Sequence, residues 1–188
     1  MNHFYQNIYG WFDFADLYSK MVKSASNGSV FVELGCLFGK STAYMAVEIL
    51  NSGKDIYFDV VDIFNFRKVP DLKQFISDLK KDLVFDDEFF DLFKQNIKPA
   101  ETAIRYIWKM DTVDAAMGYA DESVDFVFID GNHTYENIRA DITAWLPKVA
   151  SGGVLAGHDI GINGVKKAVD ELLDWQKVSA SCWYYRKD

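Results

Sequence analysis

A doubly wound α/β fold, with a mostly parallel sheet and helices on both faces, is what this 188-residue sequence predicts. Three observations lead there. Short, nearly continuous apolar runs bounded by turn residues recur at VFVELG, IYFDVVD and SVDFVFID, the composition of strands buried on both faces. Between them the apolar residues return at helical spacing. The two kinds of segment alternate along the chain, which is how parallel strands joined by crossover helices read.

Residues 1–27 hold the first helix. Phe14, Leu17, Tyr18, Met21 and Val22 fall at i, i+3, i+4, i+7 and i+8, a single apolar stripe, before Asn27-Gly28-Ser29 breaks it. VFVELG is then the first strand. From Lys40 to Leu50 helical period returns through Ala43, Tyr44, Ala46, Val47 and Leu50, and Asn51-Ser52-Gly53 closes it. IYFDVVD is the second strand and ends in Asp62.

Residues 66–100 interrupt the alternation. They are charge-rich, and Leu72, Phe75, Ile76 and Leu79, then Phe89, Phe90, Phe93 and Ile97, outline two short amphipathic helices, an insertion beside the acceptor side of a site. AIRYIWKM resumes the pattern as a strand, followed by a helix near 112–119 and by SVDFVFID, a strand ending in Asp130. Ile138, Ile142, Trp145 and Leu146 mark the next helix, stopped by Pro147. GGVLAGHD reads as a strand, NGVKKAVDELLDW as a helix and SCWYYRK as a final strand. No repeat or linker divides the chain, so residues 1–188 are expected to form one domain.

Composition excludes several classes. A net charge of −8 disfavours nucleic acid, whose phosphates demand clustered Lys and Arg. Cys36 and Cys182 show no paired spacing, so neither a disulfide framework nor a thiolate zinc site is expected. No basic stretch precedes a long apolar run, and Asp13 and Asp16 interrupt the aromatic N-terminal segment, so the expectation is a cytoplasmic protein without membrane partners. A homo-oligomer is compatible with the sequence.

In a sheet of this kind ligands bind beyond the carboxyl ends of the strands, which directs attention to Glu33, Asp62, Asp111, Asp130, His158 and Asp159. The first strand-to-helix turn ends in Gly39-Lys40-Ser41 and looks at first like a phosphate loop. Such a loop has four residues between its first glycine and Gly-Lys-Ser, and here Gly35 and Gly39 are separated by three. The G-x-G-x-x-G dinucleotide fingerprint is absent too, which makes a nucleotide-phosphate or NAD enzyme the less favoured alternative. What remains is E-x-G-x-x-x-G. Gly35 and Gly39 allow close backbone approach, Glu33 favours a ligand of positive character, and Asp62 is placed to accept from vicinal ribose hydroxyls. S-adenosylmethionine, a nucleoside without phosphates that carries a sulfonium and an ammonium, has this description.

FVELGCLFGKST, VVDIF and VDFVFIDGNHTYENIRADITAWLPKVASGGVLAGHD together resemble the class I S-adenosylmethionine-dependent methyltransferases, in the small branch similar to macrolide-sugar and rhamnosyl O-methyltransferases. The resemblance runs through about residues 8 to 186 and is most specific from Val124 to Asp159. It implies a Rossmann-like seven-stranded sheet whose last strand is antiparallel, although after Trp175 only a short or incomplete final hairpin fits. It implies a cofactor site of Glu33, Gly35, Gly39, Ser41, Asp62, Asp111 and Asp130, with Ser41 near the methionine carboxylate, and it makes His133 the catalytic base.

Methyl transfer to a hydroxyl requires loss of its proton, aided by a base or by a metal ion. Asp130 and Asp159 end adjacent strands and can face one hard cation such as Mg²⁺, with His158 as a third ligand or beside it. The corresponding position in the similar sugar methyltransferases is usually acidic. An imidazole there suits Mn²⁺, Fe²⁺ or Zn²⁺ better. His133 follows Asp130 by three residues and has an ordinary pKa suited to a base, so Asp130 and His133 are the expected catalytic pair. The resulting expectation is a metal-assisted O-methyltransferase acting on a small hydroxylated, sugar-like acceptor. A catalytically inactive S-adenosylmethionine-binding module is the non-enzymatic alternative.

Overall fold

Side chains alternate between the two faces of every strand, and in this chain both faces are apolar, so helices must cover each. The structure, a computed structural model, describes residues 1–65 and 86–188. Its strands are Val30–Leu34 (β1), Tyr57–Asp62 (β2), Ile104–Lys109 (β3), Val124–Ile129 (β4), Val149–Gly157 (β5), Gln176–Lys177 (β6) and Trp183–Arg186 (β7). The helices among the described residues are Ala15–Ser24 (α1), Lys40–Ser52 (α2), Asp86–Ile97 (α3), Thr112–Ala116 (α4), Tyr135–Trp145 (α5) and Asn163–Leu172 (α6). The first helix expected between 66 and 100, that of Leu72 to Leu79, lies outside the described residues; the second is α3.

The seven strands form one sheet in the order β3-β2-β1-β4-β5-β7-β6. β1 through β5 pair in parallel, and β7 runs antiparallel to both β5 and β6. The final hairpin is short, as the sequence requires: β6 has two residues and pairs only through Gln176 and Lys177.

Phe31, Phe58, Val60, Phe126 and Phe128 point to the face covered by α1, α2 and α3, while Val32, Leu34, Val61, Val127 and Ile129 point to the face covered by α4, α5 and α6. Each fully buried Phe or Leu contributes about 1.5–3 kcal/mol relative to exposure, so both layers are strongly driven onto the sheet. Among the described residues Glu33, Asp59 and Asp141 are acidic groups buried in these layers. Asp59 on β2 is fully buried and receives a bidentate pair from Arg105, Nε at 2.9 Å and Nη2 at 2.5 Å, with the Tyr119 hydroxyl donating at 2.7 Å.

Candidate active site

The sheet order places β1 beside β4, and the chain leaves β1 toward β2 on one side while β4 continues to β5 on the other. In sheets of this kind, the place where the order reverses, beyond the carboxyl ends of these strands, is where ligands bind. The β1–α2 turn begins there. Gly35 has φ +88°, donates to the Val61 carbonyl at 2.8 Å, and has no room for a Cβ, which would run into the Asp130 carbonyl. Gly39 has φ +85° and precedes α2; a Cβ there would come within 2.7 Å of Ile97 on α3. Close packing within the protein thus demands both glycines, besides whatever approach they allow a ligand.

Asp62, at the end of β2, clasps this turn. Its Oδ2 accepts from the amides of Cys36 at 2.8 Å and Leu37 at 3.1 Å, and its Oδ1 from Phe64 at 2.7 Å. Leu37 and Phe64 sit at φ +45° and +46°, conformations that cost a non-glycine residue on the order of 1–3 kcal/mol. The carboxylate offsets that strain. A carboxylate has about four acceptor positions, and three amides use three of them here. Burial raises the Asp62 pKa while the amides oppose it.

Glu33 shares its strand face with Phe31 and so lies under the helices rather than in open solvent, 1% exposed. Tyr18 on α1 donates to Oε1 at 2.9 Å and Thr42 on α2 donates to Oε2 at 2.5 Å. Ser41, also buried, is a further hydrogen-bonding neighbour. Burial raises the Glu33 pKa to about 7 in spite of these hydroxyls. Asp111 follows β3 at the surface, where its side chain caps α4 by accepting from the Val113 amide at 3.0 Å.

The ends of β4 and β5 bring Asp130, His133, His158 and Asp159 together. His133 Nε2 stands 3.0 Å from Asp159 Oδ2 and 3.7 Å from Asp130 Oδ1. The nitrogen is buried and makes a hydrogen bond with neither. His158 Nδ1 approaches the same two oxygens, at 3.4 Å from Asp130 and 3.2 Å from Asp159. Asp159 is held at φ +57°. Burial alone would lower both histidine pKa values, but the carboxylates outweigh it: His133 is raised and His158 is pushed up to about 11. Burial likewise would raise Asp130, and the two imidazoles hold it below the ordinary carboxylate range.

Donor atoms of Asp130, His133 and Asp159 all lie within 4.8 Å of one another. Around an ion bound at about 2.0–2.2 Å, neighbouring ligand atoms stand roughly 3–3.5 Å apart, so the spacings of 3.0 to 3.7 Å and the unpartnered His133 nitrogen fit a divalent cation. Two carboxylates with imidazoles suit a transition ion better than Mg²⁺.

Some residues at the site were not singled out by sequence reasoning. Asp13 accepts from His158 Nε2 at 3.0 Å and from the Ser181 hydroxyl at 2.8 Å, and Tyr18 and Thr42 hold Glu33. The only signal for Asp13 was its place between Phe12 and Phe14, a charge in an otherwise aromatic stretch.

The geometry has relatives. A family described as a methyltransferase domain matches residues 32–160. Among curated proteins, the uncharacterized protein y4gI of Sinorhizobium fredii (strain NBRC 101917 / NGR234) is 41% identical over 39 residues, a stretch that is 21% of this chain and 4% of that protein's length. Among solved structures, the O-methyltransferase NovP superposes with a TM-score of 0.65 at 16% identity over 92% of this chain and 78% of its own. CalS11, a calicheamicin methyltransferase, gives 0.61 at 14% identity, covering 92% and 76%. A SAM-dependent O-methyltransferase from Thermotoga maritima gives 0.61 at 13%, covering 96% and 66%. At these identities the likeness is one of fold.

Proposed function

The chain belongs to the methyltransferase-domain family, and we propose that, as one domain, it transfers the methyl group of S-adenosylmethionine to a hydroxyl of a small, sugar-like acceptor with the help of a divalent metal ion. The observation that carries this reading is the convergence of Asp130, His133, His158 and Asp159 at the ends of β4 and β5, beside the turn clasped by Asp62. Sugar acceptors are supported by the fold shared with CalS11, which is described as a TDP-rhamnose 3'-O-methyltransferase. The charge of −8 favours a small acceptor over nucleic acid. Among the described residues no helix is long and apolar enough to cross a membrane, and both cysteines are free and buried, in keeping with a reducing compartment such as the cytoplasm.

S-adenosylmethionine, when bound, supplies an electrophilic methyl carbon, which the acceptor oxygen bonds as the carbon–sulfur bond breaks. The residues of the chain prepare that step. When ionised, the Glu33 carboxylate would add negative potential at the base of the turn, which favours a ligand carrying a sulfonium and an ammonium. Asp62 has one acceptor position left for a ribose hydroxyl. Gly35 in the turn, Gly39 and Ser41 at the start of α2 and Asp111 after β3 would complete the proposed cofactor wall, with Asp130 after β4 at its border. His133 Nε2, which has no hydrogen-bond partner, takes the proton leaving the acceptor hydroxyl, and the neighbouring Asp130 and Asp159 carboxylates stabilise the imidazolium that forms. A metal ion held by Asp130, Asp159 and His158 would lower the pKa of a hydroxyl placed against it. A second reading makes His133 a ligand as well, since its donor lies within 4.8 Å of those of Asp130 and Asp159.

Calorimetric titration with S-adenosylmethionine, followed by a panel of hydroxylated acceptors assayed for S-adenosylhomocysteine release, tests the proposal. Micromolar binding and acceptor-dependent release are expected. Binding without release from any acceptor would favour a non-enzymatic cofactor-binding module, and no binding would remove the reading.

A further inference from the structure

His158 has two ring nitrogens, and the hydrogen bond made by one decides what the other can do. Nε2 faces Asp13 Oδ1 at 3.0 Å, while Nδ1 faces Asp130 Oδ1 at 3.4 Å and Asp159 Oδ2 at 3.2 Å. An imidazole that gives its Nε2 hydrogen to a carboxylate can present a lone pair from Nδ1. A histidine that ligates a metal characteristically hands its other N–H to such a carboxylate, which fixes both tautomer and ring orientation. Asp13 is itself pinned, because the Ser181 hydroxyl donates to the same Oδ1 at 2.8 Å. The ring plane has a further support in Phe14, buried, whose ring centroid lies 5.0 Å from that of His158.

We propose that Asp13 is the outer carboxylate of this centre, a positioning residue that holds His158 with Nδ1 turned toward Asp130 and Asp159. The inference rests on the metal-assisted reading above. Asp13 and His158 are 145 residues apart in sequence, so the N-terminal segment contributes to the centre without supplying a ligand. The same three-residue neighbourhood includes the Cys182 thiol, whose donor atom lies within 4.8 Å of those of Asp13 and His158. An ion seated among Asp13, His158 and Cys182 would be a different site on the other edge of the ring, and the test must tell the two apart.

The test titrates Mn²⁺ into the full-length protein by calorimetry, with S-adenosylmethionine affinity measured in parallel. Asp13→Asn is expected to weaken Mn²⁺ binding by about 10–100-fold, the usual effect of losing an outer-shell partner, and Asp13→Glu to recover most of it. S-adenosylmethionine affinity should stay within about twofold, since the Asp13 hydrogen bonds go to His158 and Ser181 and to no residue of the Asp62 clasp. Asp16→Asn removes the same charge three residues on, from an exposed position on α1, and should leave Mn²⁺ affinity within about twofold if orientation rather than net charge is responsible. Unchanged Mn²⁺ affinity in Asp13→Asn, or equal weakening in Asp16→Asn, overturns the inference alone. A loss in Cys182→Ala as large as that in Asp13→Asn overturns it in favour of the other edge. An unsubstituted protein that binds no Mn²⁺ overturns the metal-assisted reading itself, and the inference with it.

Discussion

The Asp62 carboxylate accepts the Leu37 amide at 3.1 Å, so the residue proposed to hold a ribose also holds the β1–α2 turn. Binding and local folding are therefore coupled at one side chain. Asp62→Ala should weaken S-adenosylmethionine by about 10–100-fold, equivalent to about 1.5–3 kcal/mol for charge-assisted hydrogen bonds. It should also lower the melting temperature without ligand, because the Cys36, Leu37 and Phe64 amides lose their acceptor. Calorimetry and thermal melts check both; intact affinity would remove the ribose assignment.

Glu33 makes a prediction about pH. Its folded pKa of about 7 lies above the ordinary value of 4.5, so the folded state holds its proton more tightly than the unfolded chain. The sign follows from linkage: stability associated with neutral Glu33 is fully present below about pH 4.5 and is lost as pH rises through about 7. Ionising this buried group costs up to about 3 kcal/mol. Glu33→Gln stays neutral throughout. Urea unfolding should show the variant gaining on the unsubstituted protein between pH 5 and pH 8, and a difference that is the same at both values would count against the buried, raised carboxyl.

His133→Ala should lower kcat by about 10²–10⁴-fold with S-adenosylmethionine affinity unchanged, the effect of removing a general base. Without metal, Asp130 and Asp159 raise the His133 pKa above its ordinary value, so NMR titration of the metal-free protein should find the ring protonated to a higher pH than a free imidazole, and a bound divalent ion should reverse that shift. Mn²⁺ affinity distinguishes the two readings of this residue. A fall of more than about tenfold would make it a ligand rather than the base.

Away from the site, Arg105→Met should destabilise the protein by about 3–5 kcal/mol, because it leaves the buried Asp59 carboxylate with the Tyr119 hydroxyl alone. Adding Asp59→Asn should recover much of the loss. Chemical denaturation of the two variants measures this, and additive losses in the double variant would refute the coupling.

β1, β2 and β4 are legible because both of their faces are largely apolar, and the carboxyl-terminal residues Asp62, Asp130 and Asp159 can be read directly from where each run stops. β6 is not, since Gln176 and Lys177 carry no apolar pattern and become a strand only through pairing with β7. The same limit applies within the site. Glu33 was visible as an acid in a strand, but its two hydroxyl partners come from different helices, and Asp13 reaches His158 only after the sheet has brought β5 beneath the N-terminal segment. Contacts made by tertiary placement leave no spacing to read.

The hydrogen bond between Ser181 and Asp13 spans 168 residues. A contact of such separation carries a loop-closure cost that local helices and the β1–β2 pair do not, so it is among the last to form. Synthesis from the amino end adds a second delay: Asp13 leaves the ribosome long before the hairpin that bears Ser181 exists. The Asp62 clasp, whose hydrogen bonds all lie within residues 36–64, can thus form while the Asp13–Ser181 contact is still open. On the proposed reading, the His158 ring would gain its fixed orientation, and the site its finished form, only once the last strand is paired.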